Sequence, residues 1–125
     1  MIILYADDDP EDQEFFVDAL RQIKPNVTLM LASHGKEVLR MLEGVSARPD
    51  VIFLDINMPV MGGKDCLVKL KSTANTKDIP VIMYTTTSNK IELQKYLTLG
   101  AKDFIVKDHS FQRIKSELER ALSQM

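Results

Sequence analysis

Cysteine, histidine and net charge are all scarce in this chain of 125 residues. The single cysteine, Cys66, leaves no internal disulfide and fits a reducing compartment. The two histidines, His34 and His109, fall beside different apolar segments, and Cys66 lies within a helical stretch, so no Cys/His spacing matches a zinc site. A formal net charge of −2 supplies no basic field, so direct nucleic-acid binding is not expected. The opening "MIILYADDDP" has no basic region before its few apolar residues, which run straight into three acids. It therefore reads as neither a secretory leader nor a membrane span. Linkers and low-complexity tracts are also missing. The expectation is a cytoplasmic protein with one domain over residues 1–125, no effector domain and no membrane partner.

What is present is a regular alternation. Short apolar runs recur at "IILYA" (2–6), "VTLMLA" (27–32), "DVIFLD" (50–55), "PVIMYT" (80–85) and "DFIVK" (103–107). The third and fourth are nearly continuous in apolar residues, as strands buried on both faces are. Between them lie stretches of helical period: Phe15, Phe16, Ala19, Leu20 and Ile23; Val38, Leu39 and Leu42; Leu67, Val68 and Leu70; Ile91, Leu93, Tyr96 and Leu97; Phe111, Ile114, Leu118, Ala121 and Leu122. Gly44 and Gly100 stand where helices should stop, and Pro25, Pro49 and Pro80 at or just before strand starts. Five βα units imply parallel strands, right-handed crossovers and a three-layer α/β sandwich. In such a sheet, sites form outside the carboxyl ends of the strands.

Those ends carry Asp7 and Asp8, then Asp55, Thr85 and Lys107. Helix-start chemistry accounts for part of the acidic opening: Asp9 before Pro10 suits an N-cap, and Glu11 and Asp12 favour the positive end of a helix dipole. Asp7 and Asp8 are left over. Taken singly, each of these strand-end residues has an ordinary explanation, solvation for Lys107 and strand preference for Thr85. With Asp55 at the same sheet edge, three carboxylates raise one another's pKa unless a cation intervenes. A hard divalent ion with oxygen ligands, Mg²⁺ above all, suits them. The ion and Lys107 together would balance the three carboxylates and leave room for a phosphoryl group on Asp55.

The acidic pair in "ADDDP", the segment "LDINMPVMGG", "VIMYTT" and "FIVK", in this order and spacing, resemble the receiver domain of two-component response regulators over essentially the whole chain. The resemblance implies a flavodoxin-like, doubly wound (βα)5 sandwich with strand order 2-1-3-4-5, an order that the general account of such folds gives for this family's chemotaxis member. It implies Asp55 as phosphoacceptor, Asp8 as a direct Mg²⁺ ligand, Asp7 as one acting mainly through water, and the backbone carbonyl of Asn57 as another. Lys107 would contact the phosphoryl oxygens, Thr85 would bond the phosphoryl group in the active state, Thr86 would line the site entrance, and Phe104 would be the aromatic switch. The implied donor is a histidine kinase or histidine phosphotransfer protein, and the implied output is a protein target, with homodimerisation left open. One departure stands out. The family's lysine is usually followed by proline through a cis bond, whereas Asp108 follows Lys107, so the bond could be cis at a cost of about 2.5–4 kcal/mol or trans.

Two other readings compete. A pseudo-receiver would keep the fold and bind partners without phosphorylation. A small Mg²⁺-dependent phosphohydrolase would use Asp7 as nucleophile and Asp9 as acid/base, although Glu11 departs from that motif and no cap encloses a substrate. A flavin site is disfavoured because the first loop is acidic where a phosphate needs donors.

Overall fold

The computed structural model describes residues 1–44 and 48–125. Strands and helices alternate as β1 (Ile2–Ala6), α1 (Pro10–Ile23), β2 (Thr28–Ala32), α2 (Gly35–Glu43), β3 (Val51–Asp55), α3 (Gly63–Ser72), β4 (Val81–Thr85), α4 (Lys90–Thr98), β5 (Asp103–Val106) and α5 (Phe111–Ser123). All neighbouring strands pair in parallel, in the order β2-β1-β3-β4-β5.

Side-chain alternation along each strand divides the core into two layers. On one face Ile3, Tyr5, Phe53, Ile82, Tyr84 and Ile105 pack with Phe16 and Leu20 of α1 and Ile114 and Leu118 of α5. On the other, Leu4, Ile52, Leu54 and Met83 pack with Val38 of α2, Cys66, Leu67 and Leu70 of α3 and Tyr96 of α4. Helices on both faces explain why β3 and β4 are buried at every position and apolar until their last residues, Asp55 and Thr85. Strand β2 lies at an edge, where Leu31 is exposed.

Local chemistry sets the helix starts. Asp9 caps α1 by accepting from the backbone N–H groups of Glu11 (2.9 Å) and Asp12 (3.3 Å), and Pro10 is the first helical residue. His34, Asn89 and Ser110 cap α2, α4 and α5 through side-chain acceptors. Gly100 follows α4 at φ 111°, in the left-handed region that glycine favours. Gly44 also ends its helix, but at φ −112°, a value open to any residue.

Two residues assigned to buried stripes are outside them. Val68 is exposed on α3 and Ile91 is 74% exposed on α4. Helical residues two apart do not share a face, so Leu93, two positions after Ile91, can be buried while Ile91 points to solvent. Among the described residues no helix is long and apolar enough to cross a membrane.

Candidate functional site

The carboxyl edge of the sheet gathers the acidic residues. Strands β1 and β3 are neighbours with Ala6 opposite Leu54, so Asp7 and Asp55 leave adjacent strand ends. The Asp7 N–H donates to the Ala32 carbonyl (3.0 Å), which extends the ladder into the loop. One carboxylate oxygen from each of Asp7, Asp8 and Asp55 lies within 4.8 Å of the others. Asp7 is fully buried, Asp55 is 7% exposed and Asp8 faces solvent. Metal ligation needs such convergence together with an open side, and Asp8 supplies the open side.

Lys107 closes the group from β5. Its N–H donates to the Thr85 carbonyl at 2.6 Å, which carries the β4–β5 ladder one residue past the strand. Its Nζ lies 2.8 Å from Asp7 Oδ2, 2.9 Å from Asp12 Oδ2 and 3.4 Å from Asp55 Oδ1. The ammonium also sits 5.2 Å from the centre of the Tyr84 ring, within cation–π range. Both Asp7 oxygens are bonded: Oδ1 accepts from the Asp9 N–H (3.0 Å), and Oδ2 accepts from the Tyr5 hydroxyl (2.6 Å) as well as from Lys107. Asp55 Oδ1 accepts from the Ile56 N–H at 2.9 Å. Among the described residues no protein group donates to Asp55 Oδ2 or to the Asp8 carboxylate. These are the oxygens left for other ligands.

Burial is the main cause that pushes the Asp55 carboxyl up to about 6; the Asp7 charge adds to it, while Lys107 and the Ile56 N–H oppose it. Burial works against the Lys107 ammonium, but its bonds to Asp7 and Asp12 and the charges of Asp55 and Asp7 outweigh that and raise its pKa. Burial, then the bond to Asp7, raises the Tyr5 hydroxyl well above its ordinary range, so it remains a donor. Cys66 is a buried thiol pushed up to about 12 by burial, consistent with core filling.

The remaining positions divide between buried and exposed. Thr85 is buried, and its Oγ1 accepts from the Thr87 N–H at 3.1 Å. Thr86 and Asn57 are exposed in the loops after β4 and β3. Phe104 is half-buried and packs against the layer containing Met83 and Tyr96. By strand alternation Thr85 and Phe104 face the same side of the sheet, the side covered by α4. The Lys107–Asp108 bond is trans. Asp108 turns away from the lysine to accept from the Ser110 N–H (2.7 Å) and to meet Arg113 at 3.5 Å.

Sequence reasoning missed two participants. Helix-start chemistry alone explains Asp12 in the sequence, yet its carboxylate also holds Lys107. In the sequence Tyr5 reads as one member of an apolar run, yet its hydroxyl reaches Asp7. A tyrosine two residues before the acids was the available signal, since a buried phenol requires a partner.

The fold and site together define a doubly wound α/β domain whose strand ends set a carboxylate trio against one lysine. Residues 3–119 match the family model described as "Response regulator receiver domain", and the chain belongs to that family. It is 38% identical over 91 residues to chemotaxis protein CheY1 of Helicobacter pylori, covering 73% of each chain. It is 35% identical over 116 residues to a protein-glutamate methylesterase/protein-glutamine glutaminase of Methanosarcina acetivorans, but covers only 32% of that longer protein. Among solved structures, the phosphorylated cyanobacterial phytochrome response regulator RcpA superposes with a TM-score of 0.88 at 26% identity, covering 99% of this chain and 95% of that one. The chemotaxis response regulator CheY4 of Vibrio cholerae gives 0.81 at 27% identity, covering 95% and 96%.

Proposed function

We propose that this protein is a response regulator that accepts a phosphoryl group on Asp55 from a histidine kinase or histidine phosphotransfer protein and signals through protein contacts. The observation that carries the reading is the convergence of Asp7, Asp8 and Asp55 oxygens within 4.8 Å, with Lys107 set against them. An all-oxygen donor set with an exposed carboxylate fits Mg²⁺ and not zinc. Asp8 and Asp55 Oδ2, which lack protein donors, are the direct ligands. Asp7, with both oxygens already bonded, acts through water, and the Asn57 carbonyl adds a further oxygen. When bound, Mg²⁺ supplies the positive charge that lets three carboxylates lie together and offsets charge on the transferring phosphoryl oxygens.

In the transfer, an Asp55 oxygen forms a bond to phosphorus as the P–N bond to the donor imidazole breaks; the bonding pair stays on that nitrogen, which takes up a proton from water. Lys107 pairs with the phosphoryl oxygens, Thr85 donates its hydroxyl to the phosphoryl group, and exposed Thr86 flanks the entrance. The domain is its own substrate, so it is a phosphoacceptor and not an enzyme with turnover. Thr85 and Phe104 share the sheet face under α4, which suits a relay from Asp55 to the surface formed by α4, β5 and α5. The bonds of Asp108 to Ser110 and Arg113 leave Lys107 undisturbed, which favours a live site over a pseudo-receiver.

Intact mass after incubation with acetyl phosphate tests the reading. One phosphoryl group should appear with Mg²⁺ and not with a chelator present. Mass unchanged under both conditions, or equal gain under both, would contradict it.

A further inference from the structure

Lys107 makes its short bonds to the wrong acids for phosphoryl transfer. It is hydrogen-bonded to Asp7 and Asp12 at 2.8 and 2.9 Å, while Asp55 lies 3.4 Å away, the longest of its three ion pairs. The two acids that hold it differ in what happens when it leaves. Asp7 Oδ2 keeps the Tyr5 hydroxyl at 2.6 Å, so this fully buried carboxylate retains a donor. Asp12 sits in the first turn of α1 with its side chain 41% exposed, so its carboxylate can pass from the ammonium to water. Neither carboxylate is therefore left without a partner when the lysine leaves, but each bond must first be broken, and of the two acids only Asp12 lies outside the carboxylate trio.

We infer that Asp12 is a positioning residue that holds Lys107 back from Asp55 in the unphosphorylated protein and thereby limits the rate of phosphoryl uptake; the inference rests on the function proposed above. An interaction made in the resting state and surrendered when Lys107 pairs with the phosphoryl oxygens stabilises the starting state relative to the product. Removing it favours uptake. A partly exposed ion pair is worth up to about 1 kcal/mol, so the expected acceleration is about three- to five-fold.

The test measures phosphorylation rates with acetyl phosphate at saturating Mg²⁺. The donor's P–O bond breaks, acetate leaves and the Asp55–phosphorus bond forms. Asp12→Asn should take up phosphate about three- to five-fold faster than wild type. In a Lys107→Gln background the same substitution should change nothing, because its effect acts through the lysine. Asp12→Ser serves as a second variant should asparagine disturb the first turn of α1. Phosphorylation of the wild type with no acceleration in either variant, or an acceleration that persists without Lys107, would overturn the inference and leave the functional reading standing. A wild type that takes up no phosphate would overturn both.

Discussion

Without Mg²⁺ at pH 7.5, Asp55→Asn should be more stable than wild type by about 1–3 kcal/mol, although it removes the residue on which the function turns. Burial and the charge of Asp7 push the Asp55 carboxyl up to about 6, despite Lys107. An unfolded aspartate titrates near 3.9. Between about pH 4 and 6 the folded chain thus binds more protons than the unfolded one, so this group makes wild-type stability fall as pH rises through that window and level off above it. Asparagine resembles the protonated acid and can still accept from the Ile56 N–H. The advantage of the variant should therefore be largest above pH 6 and fade toward pH 4. Mg²⁺ should reverse the order, because a ligand bound only by the folded state stabilises it by mass action and the variant has lost one ligating oxygen. Thermal unfolding across pH, with and without Mg²⁺, reads all of this. A metal-free variant less stable than wild type above pH 6 would contradict the electrostatic description of the site.

Gly63→Ala should cost about 3 kcal/mol or more and strip the chain of phosphorylation even where it still folds. Gly63 opens α3, and its N–H donates to the Ile56 carbonyl at 2.9 Å, which seats the helix directly behind Asp55. A Cβ there would overlap the Asp55 carbonyl oxygen and meet Ile56 Cα at 3.0 Å. Both are backbone atoms and cannot swing aside, so either α3 withdraws or the end of β3 shifts, and Asp55 shifts with it. Displacement of a reacting group by about 1 Å can cost a hundredfold in rate. Gly44→Ala is the control: a Cβ at that position meets none of the described residues within 4 Å, and stability should change by less than about 1 kcal/mol. Urea denaturation and acetyl phosphate uptake on both variants measure the difference. A Gly63→Ala protein as stable and as reactive as Gly44→Ala would show that the close approach of α3 to Asp55 is not needed.

The fold was legible because its signals are local. Continuous apolar runs marked β3 and β4, helical periods marked the intervening segments, and Asp9-Pro10 marked the start of α1. The carboxylate trio was legible for a related reason, since acids placed directly after apolar strands can only emerge at the sheet edge. The hold on Lys107 was not legible. Asp12 and Lys107 are 95 positions apart, and a carboxylate in a first helical turn already has a sufficient local explanation. Nothing in a linear pattern announces a second role for it. The tyrosine beneath Asp7 left only the signal of a phenol two residues before the acids, and the glycine behind Asp55 left none, because its contact exists only once α3 packs against the end of β3. The exposure of Ile91 and Val68 was a matter of angle: apolar identity suggested burial, and the helical wheel placed both outside the buried face.

Borohydride trapping is the most direct test of the central claim. After incubation with acetyl phosphate and Mg²⁺, an aspartyl phosphate is reduced to homoserine, and peptide mapping locates it in the chain. The expected result is homoserine at position 55 alone, lost when Mg²⁺ is omitted and absent from Asp55→Asn. Homoserine at Asp7 or Asp8, or phosphate uptake with no reducible acyl group at Asp55, would contradict the assignment of Asp55 as phosphoacceptor.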